Sequence, residues 1–251
     1  MKIRLLIFCL LLASCHLEKK GTLPRTECDK ELAIAEKDFK NGKLVYCYLV
    51  GHFYGFGGYR SEEEMTEILK NYGILYQNIS ETDFIRDYDD INYCYCSYMR
   101  EKINEKYGSH FIDSIVGVAD EFWLSKRIND TIISYLCDIV PLYPGDTDNY
   151  PDERSETLSQ ELKSKLIYPE GYVKNASVDY PNYVNIFFDV NKYGNAKIRR
   201  YTFNFNSESK KIYEKYFEKQ LEKYIKKTGW TPAQIRNHNV NSTRFIRYYF
   251  D

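Results

Sequence analysis

Three observations predict an α+β fold. Apolar residues recur at helical spacing in several segments, for example Met65, Ile68, Leu69 and Tyr72. Elsewhere they alternate with period two, as in Val184, Ile186, Phe188 and Val190. The run Leu44 to Val50 is apolar, continuous and of strand length, and it leads into a glycine-rich turn. The chain has 251 residues, 43% hydrophobic and 28% charged, which suits one large or two small globular domains and excludes a disordered or collagen-like polymer.

A formal net charge of -1 hides two unlike parts. Residues 15–165 carry 18 Lys and Arg against 28 Asp and Glu, while residues 166–251 carry 15 against 8. An acidic part of that size repels phosphate, so no nucleic acid is expected as a partner.

The first residues read as an export signal. Met1 to Arg4 is a basic start, and the apolar run Leu5 to Ala13 is too short for a bilayer that needs about 20 residues. Leu12-Ala13-Ser14-Cys15 looks like a bacterial lipobox, in which small residues fit the signal peptidase and the Cys15 thiol accepts lipid. Residues 1–14 are then a signal peptide and 15–28 a lipid-anchored tether, with membrane as the first partner. Several acyl chains on one cysteine anchor stably, whereas one is marginal. His16 stands where an aspartate often signals inner-membrane retention, and Lys19 and Lys20 follow Glu18. Outer-membrane attachment facing the periplasm is therefore expected.

Residues 29–137 read as a small α+β domain without an assigned role. Leu32, Ala35 and Phe39 mark a helix over 29–40 that Asn41-Gly42 stops. After the strand at 44–50, Ser61 and Glu64 form a capping-box pattern ahead of the helix carrying Met65 to Tyr72. The intervening Gly55-x-Gly57 lacks the third glycine of a dinucleotide fingerprint, and three glutamates at the next helix start oppose phosphate binding. Ile74 to Tyr76 and Ile91 to Cys96 read as short strands. Asp87 to Asp90 fails the calcium-loop pattern, with Asn92 at the sixth position and Tyr98 at the twelfth. Helices are expected over 99–107 and 111–126, the second with Ile112, Ile115, Val116, Ala119 and Trp123 on one stripe.

Cys28, Cys47, Cys94, Cys96 and Cys137 remain after Cys9 and Cys15 are set aside. An odd number leaves at least one thiol free or paired between chains, and the pairing is not determined by the sequence. Small buried apolar residues are the simpler reading of the Tyr93-Cys94-Tyr95-Cys96 alternation. Cys47 and His52 are the only residues that suggest a thiol enzyme, and no third group completes a catalytic set. No catalytic residue, cofactor or metal site is expected, and an enzyme using this pair is the alternative reading.

Residues 138–251 change character, because five of the seven prolines lie between Pro141 and Pro181. Asp146 to Glu153 is an acidic loop, and Leu158, Leu162 and Leu166 mark a helix. Tyr183 to Val190 and Ala196 to Phe205 form a hairpin around Asn191 to Asn195. The apolar phase slips between Ile198 and Tyr201, which predicts a β-bulge near Arg199-Arg200. A long helix over 207–227 is expected to bury Ile212, Tyr216, Leu221, Tyr224 and Ile225, and Thr243 to Phe250 closes the chain as a strand.

Four pieces in order carry a family resemblance: Val140-Pro141-Leu142-Tyr143-Pro144-Gly145, Tyr168-Pro169, Phe188, Val190 and Gly194 in the hairpin, and Gly229-Trp230-Thr231-Pro232-Ala233. With them, 138–251 resembles the TonB C-terminal domain family. The resemblance implies a helix, a β-hairpin, a second helix and a third strand that engages proteins. A spanning helix and a proline-rich linker do not occur here, so energy transduction is not expected. The expectation is an anchored protein-interaction module whose last strand, if at a sheet edge, adds an extended acidic peptide or envelope protein through Arg244, Arg247, Tyr248 and Tyr249.

Overall fold

A computed structural model describes residues 27–50, 59–80, 93–147, 154–174, 181–226 and 229–250, in a mixed α+β arrangement. The glycine loop 51–58, the candidate calcium loop and the acidic segment 148–153 lie outside these residues. Helix α1 (Glu27–Lys40), strand β1 (Leu44–Val50), helix α2 (Glu62–Asn71) and strand β2 (Ile74–Ser80) follow in order. β1 and β2 pair in parallel, Leu44 beside Ile74. Ala35, Val45, Met65, Leu69 and Ile74 are fully or nearly fully buried around this pair. Ser61 does precede α2, but its hydroxyl donates to Asp120 at 2.8 Å instead of capping, and Glu64 pairs with Lys126. The capping box is therefore replaced by bonds to a distant helix.

The strand expected over 91–96 is instead the start of helix α3 (Tyr93–Tyr107); residues 91 and 92 lie outside the described set. Alternating Tyr and Cys imitated a strand, but tertiary contacts fix the backbone. The buried Glu31 carboxylate accepts the amides of Cys94 (3.0 Å) and Tyr95 (3.2 Å), filling the role of a helix cap. Two positions on a helix point about 200° apart. Cys94 thus reaches Cys28 on α1 and Cys96 reaches Cys47 on β1, and both pairs are disulfides. Cys94 and Cys96, read as apolar filler, are staples together with Cys28 and Cys47, while Cys137 stays free.

Helix α4 (Phe111–Arg127) buries Ile115, Ala119 and Trp123, as its stripe predicted. The short strand β3 (Thr131–Ile132) then leaves this region and pairs with the last strand. Helix α5 (Glu156–Lys165) buries Leu158 and Leu162 and is capped by the Ser155 hydroxyl. Strands β4 (Tyr183–Val190) and β5 (Ala196–Asn204) form the hairpin, and the register slips so that Phe187 faces Arg200 while Phe188 faces Ile198. Arg199 is the extra residue, in agreement with the predicted bulge. Gly194, with φ +80°, sits at the hairpin tip, where a β-carbon would meet the Trp230 carbonyl oxygen at 2.3 Å.

The single long helix expected over 207–227 is a 3-10 turn (Glu208–Tyr213) followed by helix α6 (Glu214–Lys226). This changes which residues are buried. Ile212 is 75% exposed and Tyr216 37%, while Phe217, absent from the expected set, is fully buried with Leu221 and Ile225. Strand β6 (Ala233–Ile235) and strand β7 (His238–Tyr249) complete the chain. The second sheet has the order β3-β7-β4-β5, with β6 also on β7. α5 and α6 cover one face of it through Leu158, Leu162, Phe188, Phe217, Ile246 and Phe250.

The two charge regions meet through a polar and an apolar joint. Trp123, Leu124 and Ile132 pack with Ala233, Ile235 and Val240. Beside them the Arg60 guanidinium, 8% exposed, binds Asp120 on α4 at 2.5 Å and Asp138 at 2.5 Å. Asp138 in turn accepts the Arg236 amide at 2.7 Å in the β6–β7 turn. β3 lies before the expected boundary at 137/138 yet joins the sheet beyond it.

Candidate functional site

β7 is the strand on which the interaction residues were placed. On one side β4 pairs with it from Ser242 to Tyr249. On its remaining positions β6 takes His238 to Val240 and β3 takes Asn241 and Ser242. From Arg244 to Tyr249, no strand pairs the edge away from β4 among the described residues. The direction of the backbone groups follows from one bond. The Phe250 amide donates to the Asn182 carbonyl at 3.0 Å, so even-numbered residues of β7 exchange bonds with β4. The odd ones direct their N–H and C=O groups to the opposite edge, where Thr243 meets β3 and the turn after it, and Phe245, Arg247 and Tyr249 lie beyond that contact.

Side chains divide by the same parity. Arg244 and Tyr248 share the core face with Ile246 and Phe250 and are only 4% and 5% exposed. Arg244 donates to the Arg154 carbonyl at 2.8 Å, and Tyr248 packs edge-on against Phe250 at 5.5 Å. These two expected contact residues are therefore interior groups, a correction that alternation along the strand imposes. Arg247 and Tyr249 stand on the other face, which no helix covers among the described residues. Arg247 donates to the Asn185 side chain at 2.9 Å and lies 4.5 Å from the centre of the Tyr183 ring. Tyr249 is 46% exposed and leans on Tyr183.

The sequence reading missed the neighbours that complete this face. Phe187 and Phe245 stack 4.9 Å apart, and the Arg200 guanidinium lies 4.2 Å from the centre of Phe187. Ring faces are taken up by each other and by arginines, which leaves ring edges outward. Edges carry the positive end of the aromatic quadrupole, so rings and guanidinium groups together favour carboxylates. The odd phase of β4 and β7 was the available signal, since Tyr183, Phe187, Phe245 and Tyr249 all fall on it.

Of the alternative pair, only Cys47 lies among the described residues. Cys47 is 6% exposed in β1 and bonded to Cys96, so it offers no thiolate nucleophile, and His52 lies outside the described residues. Burial pushes the remaining Cys137 thiol up to about 11, partly offset by a bond to Ser242. Among the described residues, no group of three His, Cys, Asp or Glu is placed to hold a metal. No helix among them is long and apolar enough to cross a membrane. Cys15 lies outside them. Comparison with protein-family models, curated proteins and solved structures finds no match.

Proposed function

We propose that this chain is an exported lipoprotein, anchored through Cys15 to the outer membrane and facing the periplasm, whose C-terminal domain captures proteins without transducing energy. The observation that carries this reading is the edge of β7 over Phe245 to Tyr249, on the side away from β4. Past the contact with β3 this edge pairs with no other strand among the described residues, the geometry that strand addition requires. Arg247 beside that edge, together with the arginines of the uncovered face, favours an acidic segment. The resemblance of 138–251 to the TonB C-terminal domain family supports the same mode. Two disulfides suit an oxidising compartment, in keeping with export.

Arg247 supplies the test. Its amide points away from β4, so Arg247→Pro removes a donor from that edge and leaves every backbone bond to β4 intact. Arg247→Ala removes the side chain, with its charge and its contacts to Asn185 and Tyr183, and keeps the amide. Envelope proteins retained by wild type and by Arg247→Ala should be lost with Arg247→Pro at unchanged circular dichroism. Equal retention by the proline variant would overturn strand addition. Labelled glycerol or fatty acid that fails to enter the chain, or that enters a Cys15→Ser variant equally, would overturn the anchor.

A further inference from the structure

The outward side of α6 has the composition of a lipid-contacting surface. Phe217, Leu221 and Ile225 fix which side is buried. At 3.6 residues per turn, Lys215, Tyr216, Lys219, Lys223 and Lys226 fall within an arc of roughly 100° on the opposite side, and all five are exposed. No acidic residue shares that arc. Glu218 and Glu222 are turned towards β5, where their charges raise the Tyr201 pKa behind the larger effect of burial. Lys215 and Lys226 each touch one of these glutamates, in exposed pairs that contribute little. Lys219 and Lys223 make no ion pair among the described residues.

Apolar side chains project beside this stripe. The Gln220 side chain donates to the Ile167 carbonyl at 2.6 Å and accepts its amide at 3.1 Å, and the Tyr213 hydroxyl donates to the Glu170 carbonyl at 3.5 Å. Residues 167–170 therefore run along α6 and the 3-10 turn before it. Ile167 is 66% exposed, Val173 68%, Ile212 75% and Tyr216 37%. Aliphatic side chains at that exposure, next to unpaired lysines and on the side of the domain away from the sheet, are not explained by packing within the chain.

We infer that this surface, α6 with the adjoining 167–173 segment, rests on an anionic phospholipid bilayer. The lysines neutralise headgroup phosphates while Ile167, Val173, Ile212 and Tyr216 enter the boundary below them, the division of labour of an interfacial helix. The surface lies on the helical side of the domain, so binding to lipid leaves the β7 edge free. It goes beyond the proposed anchor and does not depend on it, because the contact is made by the folded domain.

The chain from His16 onward keeps every described residue and carries no lipid, so its binding reports this surface alone. It should co-sediment with vesicles of phosphatidylglycerol and phosphatidylethanolamine and not with phosphatidylcholine vesicles. A Lys219→Glu/Lys223→Glu variant, with unchanged circular dichroism, should bind at least about tenfold more weakly. Ile212→Ser should lose the part of binding that survives high salt. Equal sedimentation with both vesicle types, unchanged affinity of the double variant, or retention on polyglutamate or oligonucleotide without retention on vesicles would each overturn the inference. Labelling of Cys15 in cells is read separately, so the anchor and the surface succeed or fail independently.

Discussion

Residues 27–107 are built on one pair of parallel strands stapled to a helix by two disulfides, whereas residues 181–250 are built on a sheet whose inner face is filled by Phe188, Ile246, Phe250 and Phe217. The contrast follows from strand number. Two strands alone are marginal in water and need helices or covalent links. Three long strands with one apolar face and two helices bury enough surface without them. The acidic region accordingly concentrates its cysteines where α1, β1 and α3 meet, and the basic region has none past Cys137.

Removing the staples is expected to have the largest effect and to fall on one side only. Cys94→Ser/Cys96→Ser breaks both links at once and should cost about 2–5 kcal/mol for each. Hydrogen exchange should then accelerate in α1, β1 and α3 while amides of β4 and β7 keep their protection. Uniform acceleration would show that the two regions unfold as one unit.

The reverse experiment is Phe188→Ala in β4, where the ring is fully buried 4.9 Å from Trp230. A loss of about 3–5 kcal/mol is expected in denaturant unfolding. Protection should fall in the second sheet and leave the disulfide-linked elements slow to exchange.

The smallest effect concerns the joint. Burial works to raise the Asp138 pKa, but the bonds and charge of Arg60 and the Arg236 amide outweigh it and hold the carboxyl below its ordinary value. A lowered folded-state pKa means that the contribution is complete above the unfolded carboxylate value of about 4. It is then lost as pH falls through the lowered one. Wild type should melt above Asp138→Asn at neutral pH, and the two curves should converge in acid. Because Asp138 is 43% exposed, the gap should be modest.

Particular residues mark how far the sequence could be read. Val184, Ile186, Phe188 and Val190 alternate and are all fully buried, and the phase slip after Ile198 located the bulge at Arg199. Parity along β7 also separates Arg244 and Tyr248 from Arg247 and Tyr249, although composition alone had grouped all four. Two misreadings have one cause, an imitation of the wrong period. Tyr93 to Cys96 alternates like a strand but lies on a helix, held there by Glu31 and two disulfides. Ile212 and Tyr216 continue a helical stripe across a 3-10 turn, whose three residues per turn shift the phase and bring Phe217 inward instead.

The sequence by itself determined the α+β class, the position of the hairpin and its bulge, the buried stripe of α4 and the division of charge, because each depends on local period or on counting. The tertiary structure decided the cysteine pairing, the placement of β3 in a sheet with a strand more than a hundred residues later, and the open edge of β7. These depend on which segments meet in space, and local patterns in one sequence hold no term for that distance.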